Sequence, residues 1–222
     1  METMEKPLLL IGVHRDELAF GDRLAGLLGD RCDVLRVDKG LENANPTPDD
    51  EFQYRIRHAE MYQQVLQQLH RRTGPVIDIH TGLNESGRCA DIYCHSEDFL
   101  SCLDHALANR AHGSASEDAD IRRLKIVSHE TNGSRAPSEQ ELRPVVWTYI
   151  PEIVWRNPRF LYVGIEVFLT APGAGRQEDH AYARDLVLLC AGCAAQREDR
   201  AQLHAPASDG FANCRSGRCG FR

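Results

Sequence analysis

The sequence predicts an α/β domain: a three-layer sandwich with a mixed, mainly parallel central sheet and helices on both faces. Three observations predict it. Short apolar, β-branched runs alternate with longer amphipathic stretches in the order β-α-β-α-β-β-α-β-β-α. The strongest runs, at 8–13, 76–80 and 160–169, read as strands buried on both faces, which lack the polar alternation of a half-solvated sheet. A chain of 222 residues holds one such domain with a sizeable core.

Each element follows from its own pattern. Residues 8–13 form a first, central strand, and Gly12 breaks its propensity where a close backbone approach at a strand end is expected. Leu18, Leu24, Leu27 and Leu28 suit an amphipathic helix ending near Gly29. Residues 34–37 read as a second strand. Residues 40–50, with Asn43, Asn45, Pro46 and Pro48, read as loop. A long helix over 51–72 places Phe52, Ile56, Met61, Val65, Leu66 and Leu69 near helical spacing, and Gly74-Pro75 ends it. Strands are expected at 76–80 and 91–94, a helix at 99–107 and a strand at 124–127. Polar loops are expected at 112–120 and 131–141. Residues 147–155 are apolar but flanked and interrupted by Pro144 and Pro151, so irregular packed structure is expected. Residues 160–169 form the last strong strand and 178–196 the closing helix. The expected domain is 1–196, followed by a polar, flexible tail at 197–222 where apolar residues almost vanish.

Composition narrows the function. The net charge is -7, and its arginines are scattered, which disfavours the clustered cations of a nucleic-acid surface. The hydrophobic fraction, 42%, is slightly low for a fully packed chain and fits a flexible segment. The N-terminal apolar run is too short for a membrane span or a signal sequence, so a cytoplasmic protein is expected. With no secretory context, the eight cysteines do not predict a disulfide framework. Cys190-Ala191-Gly192-Cys193 falls inside an apolar helical pattern and reads as core.

Three segments at the ends of apolar runs carry chemistry: His14-Arg15-Asp16-Glu17, Asp78-Ile79-His80-Thr81 and Val163-Gly164-Ile165-Glu166-Val167. Open α/β sheets build their sites at such ends. His14 and Glu17, three apart, share a face if a helix begins there and can grip one ion. His80 would approach from a neighbouring strand end. Asp78, two residues earlier on that strand, points the same way and can hold the imidazole. Three imidazole and carboxylate ligands with a fourth open position suit a catalytic zinc. Glu166 interrupts an apolar run, where an unpaired carboxylate is costly, so it lies at the open end of the strand or serves a site. Arg88 and His95 flank the His80 segment and are further candidates for substrate contact. Cys89 and Cys94 are weaker candidates for a nucleophile.

Together these three segments resemble the succinylglutamate desuccinylase/aspartoacylase family of zinc carboxypeptidase-like amidohydrolases. The resemblance implies one zinc per chain held by His14, Glu17 and His80, with Glu166 as catalytic acid/base. It also implies Arg156 as a substrate-binding residue. Arg15 stands where the family has glycine, Phe168-Leu169 where it has Gly-Pro, and the family's Asn-Arg pair has no counterpart. The expectation is therefore a zinc-dependent hydrolase of an N-acyl amino acid. The alternatives are a metallocarboxypeptidase, or a non-catalytic binding module on the same fold. Its expected partner is a small-molecule or peptide carboxylate, with no nucleic acid and no membrane. A homo-oligomer that completes the pocket is allowed for.

Overall fold

A computed structural model describes residues 5–42, 47, 49–111, 121–127, 143–171 and 173–204. The loops expected at 112–120 and 131–141, and part of that at 40–50, lie outside the described residues.

The strands are β1 (Leu8–Ile11), β2 (Asp33–Arg36), β3 (Val76–Leu83), β4 (Cys89–Cys94), β5 (Ile121–Ile126), β6 (Val145–Val146) and β7 (Tyr162–Leu169). They form one seven-stranded sheet in the order β2-β1-β3-β7-β4-β5-β6. Every pairing is parallel except β4 with β7. That exception has a local cause. A parallel return needs a crossover of roughly a dozen residues or more, and only 84–88 separate β3 from β4. β4 therefore runs back, on the far side of β7. β7, the strand carrying Glu166, occupies the middle of the sheet. β1, expected at the centre, is internal but lies next to the edge strand β2.

The helices are α1 (Leu18–Leu28), α2 (Glu51–Gln68), α3 (Glu97–Ala111), α4 (Glu152–Trp155) and α5 (Gln177–His204). Alternation along β1 divides them between two layers. Leu9 and Ile11 join the core made with α1, α3 and α5. Leu8 and Leu10 join the core made with α2 and α4. Gly12 leaves β1 with φ +79°, and a Cβ there would stand 2.7 Å from Val37 O. The chain can turn closely past Val37 only without a side chain.

Four expectations need correction. α2 buries Tyr54, His58, Tyr62 and Val65, while Phe52 and Ile56 are 70% and 38% exposed. Its inner face is set by what it covers, and that is a polar cavity as well as core. Residues 147–155 are not wholly irregular, because α4 forms there after Pro151. The closing helix, expected at 178–196, runs on to His204 as α5, and 205–222 lie outside the described residues. Cys193 is bridged to Cys102 by a disulfide joining α5 to α3, with Cα atoms 5.7 Å apart. The two helices pack side by side on one face, a proximity that a separation of 91 residues conceals.

Candidate metal centre and active site

The turn Arg15–Glu17 follows directly on β1 and brings His14 and Glu17 to one side. β3 lies beside β1 in the sheet, so His80 reaches the same place. His14, Glu17 and His80 are all buried, and their donor atoms lie within 4.8 Å of one another. Glu17 Oε1 is 3.1 Å from His14 Nδ1, and Glu17 Oε2 is 3.1 Å from His80 Nδ1. Burial alone would raise the Glu17 carboxyl. His80 and His14 outweigh it and hold Glu17 down to about 2. Glu17 is thus an anion in the protein interior.

The set fits a divalent cation. Among the described residues His14 Nδ1 is buried and makes no hydrogen bond, an orphan that a metal would satisfy. Two imidazoles and one carboxylate are the donors zinc takes, whereas calcium and magnesium ask for oxygen alone.

The outer partners are well defined. Asp78 is completely buried, with Oδ2 3.3 Å from His80 Nε2. It accepts hydrogen bonds from Tyr62 Oη at 2.6 Å and Tyr162 Oη at 2.8 Å. Burial and the Asp78 charge push both phenols well above their ordinary range, so both stay protonated donors. Burial lowers His80, but Asp78 and Glu17 outweigh it and push His80 well up. On α2, His58 sets Nε2 3.3 Å from His14 Nε2, and Tyr54 Oη is 3.3 Å from that same nitrogen. Burial, with His14 alongside, lowers His58 to about 4, so its ring is neutral near pH 7.

Glu166 pairs in register with His80 across β3 and β7, and with Asp91 across β4. All three line one cavity of about 360 Å³ together with His14, Glu17 and His58. Burial raises the Glu166 carboxyl above its usual range. Asp91 and Glu17 add to the rise, and His80 opposes it. Arg122 grips Asp91 with two hydrogen bonds of 2.6 Å. Tyr54, Tyr93, Trp147 and Tyr149 supply aromatic wall.

The structure therefore brings His14, Glu17, His80, Asp78 and Glu166 together. Arg156 stands apart. It precedes the first residue of β7, whereas Glu166 lies in the second half of that strand. Arg156 pairs with Glu152 at 2.6 Å and packs on Trp155. Its cavity, about 570 Å³, is a different one and includes His95. The substrate role expected for Arg156 finds no support in this placement. Arg88 also points elsewhere, to Asp179 of α5 at 3.0 Å. Cys94 is buried against Tyr162 O and has no place in the cavity.

His58, Asp91, Tyr62 and Tyr162 were not singled out from sequence. A signal existed for two of them. Tyr54, His58 and Tyr62 recur at four-residue spacing, one polar aromatic stripe on α2.

No family model matches the chain, and no curated protein sequence matches it. Solved structures do. Murine aminoacylase 3 is similar in fold. It is 15% identical at a TM-score of 0.44, over 91% of this chain and 67% of that one. A point mutant of murine aminoacylase 3 gives 15% and 0.46, over 91% and 66%. The chain thus spans about two thirds of the aminoacylase length. The catalytic domain of CwlV, an N-acetylmuramoyl-L-alanine amidase from Bacillus (Paenibacillus) polymyxa var. colistinus, is 10% identical at 0.44. That match covers 88% of this chain and 99% of the amidase domain.

Proposed function

We propose that this chain is a zinc-dependent amidohydrolase that cleaves the amide bond of an N-acyl amino acid. The observation that carries the reading is one cavity holding a buried His14–Glu17–His80 cluster with Glu166 beside it. When bound there, zinc supplies Lewis acidity, polarising the scissile carbonyl and making water easier to deprotonate. Glu166 does the proton work: its carboxylate takes a proton from the attacking water and returns it to the leaving amine. Burial raises the Glu166 carboxyl above its usual range, the direction that favours a group that takes a proton and then returns it. Asp78 faces the His80 nitrogen turned away from Glu17 and would hold the ring while the other nitrogen faces the metal. Tyr54, Tyr93, Trp147 and Tyr149 receive the apolar part of the substrate and displace water from it. The substrate carboxylate falls to Arg15 or Arg57, which line an adjoining cavity of about 250 Å³ that shares Tyr54.

The test is turnover by the zinc-loaded protein on a panel of N-acyl amino acids and short peptides, with Glu166→Gln alongside. Hydrolysis that a chelator abolishes and zinc restores is expected. Glu166→Gln should keep the metal and lose at least about 100-fold in rate, the usual contribution of a positioned acid/base. Full activity in Glu166→Gln overturns the assignment. Cleavage confined to peptide C-termini would make the enzyme a carboxypeptidase. Metal binding with no turnover on any substrate would leave a binding module.

A further inference from the structure

We infer that His58 is a positioning residue that fixes the tautomer of His14, leaving His14 Nδ1 as the metal-donor atom. The inference rests on the metal-centre reading above and adds a residue to it.

The Tyr54 carbonyl, His58 and His14 form a hydrogen-bonded chain of three groups. His58 Nδ1 lies 3.2 Å from the backbone carbonyl of Tyr54. A carbonyl oxygen only accepts, so Nδ1 carries the proton of the neutral ring. His58 Nε2 is then a lone pair. It faces His14 Nε2 at 3.3 Å, and two ring nitrogens form a hydrogen bond only if one of them bears hydrogen. That hydrogen belongs to His14, which donates from Nε2. Tyr54 Oη, 3.3 Å away, offers the same proton a second acceptor. His14 Nδ1 is left bare. Among the described residues it is one of several buried side-chain atoms without a hydrogen-bond partner, His80 Nε2 being another, and it lies 3.1 Å from Glu17 Oε1. The orphan nitrogen and the His58 contact are thus two ends of one arrangement.

The two histidine ligands are held differently. His80 Nε2 faces a carboxylate, Asp78, at 3.3 Å, without a well-formed hydrogen bond. His14 leans on a neutral imidazole that passes the polarity on to a helix carbonyl. α2 can do this because Tyr54 and His58, one turn apart, lie on its buried stripe. Such an outer partner sets the ring angle and tautomer of the ligand, and its loss weakens metal binding by roughly 10–100-fold.

The experiment uses the full chain and zinc itself. Zinc affinity is measured by competition with a chromophoric chelator for wild type, His58→Phe and His58→Gln. His58→Phe keeps a ring and removes both nitrogens, and an affinity loss of roughly 10–100-fold is expected. His58→Gln restores an acceptor at similar reach and should recover most of the affinity. In parallel, nitrogen-15 shifts of metal-free, histidine-labelled wild type read the tautomer directly. His14 is expected to hold its proton on Nε2, and His58→Phe is expected to lose that preference. Equal zinc affinity in wild type and a folded His58→Phe overturns the inference, as does a wild-type His14 protonated on Nδ1. Absence of zinc binding by wild type would sink the metal-centre reading instead, and the nitrogen-15 shifts would still decide the tautomer.

Discussion

Gly164 stands two residues before Glu166 for a steric reason. β4 pairs with β7 so that Tyr93 lies directly opposite Gly164, and the buried Tyr93 ring crosses the space a Cβ would take. Gly164→Ala should destabilise by about 1–3 kcal/mol, the usual cost of overpacking a filled core. A denaturant midpoint that does not move would mean that Tyr93 packs elsewhere. Residue-scale chemistry was legible where it was local. His14 with Glu17, and Asp78 with His80, depend on spacings that a helix turn and a strand fix by themselves. Arg156 lines a different cavity from Glu166, and a separation in sequence does not say which end of the sheet a residue occupies. At about 3.3 Å per residue, β7 from Tyr162 to Glu166 spans roughly 13 Å, and Arg156 lies before that strand begins. His58 was hidden because its partner His14 is 44 residues distant.

Among the elements, strands with strong apolar runs were found within a few residues of their observed ends. β6 was missed because two residues have no period to read. The inner face of α2 was misassigned because apolar spacing reports a dry core, while this helix also covers a polar cavity. On the other face, charge ties α3 to the sheet. Asp104 of α3 accepts from Arg123 of β5 at 2.9 Å and from Arg143 at 2.6 Å. Burial alone would raise Asp104, but hydrogen bonds and charge from Arg143 and Arg123 outweigh it and hold the carboxyl below its ordinary value. A group depressed in the folded state contributes stability that is fully present above its unfolded pKa, about 3.9 for aspartate. That contribution fades as pH falls through the lower, folded value. Asp104→Asn should therefore lower the melting temperature at pH 7, and the gap from wild type should narrow below about pH 4. A gap that stays constant down to about pH 2.5 would assign the loss to packing instead. Asp104 is 37% exposed, so solvent screening keeps the effect small.

The whole molecule is joined through the same candidate site. Glu17 and His80 are 63 residues apart in sequence, and His58 adds α2 to the turn after β1 and to β3. The strand order that brings them together was not legible, since nothing local encodes that β7 enters between β3 and β4. A ligand that binds only the folded chain adds stability by mass action, about 2.7 kcal/mol at a hundredfold excess over its dissociation constant. For a chain of this size each kcal/mol moves the melting temperature by about 2–4 °C, so zinc should raise it by roughly 5–10 °C. The same coupling has a pH sign. Metal and proton compete for the imidazole and carboxylate donors, so the zinc-induced shift should shrink as pH falls. His80→Ala removes one donor and should abolish the shift in a protein that still folds. A shift of equal size in His80→Ala would mean that zinc binds elsewhere on the chain, and Glu17 would then need another partner for its buried charge.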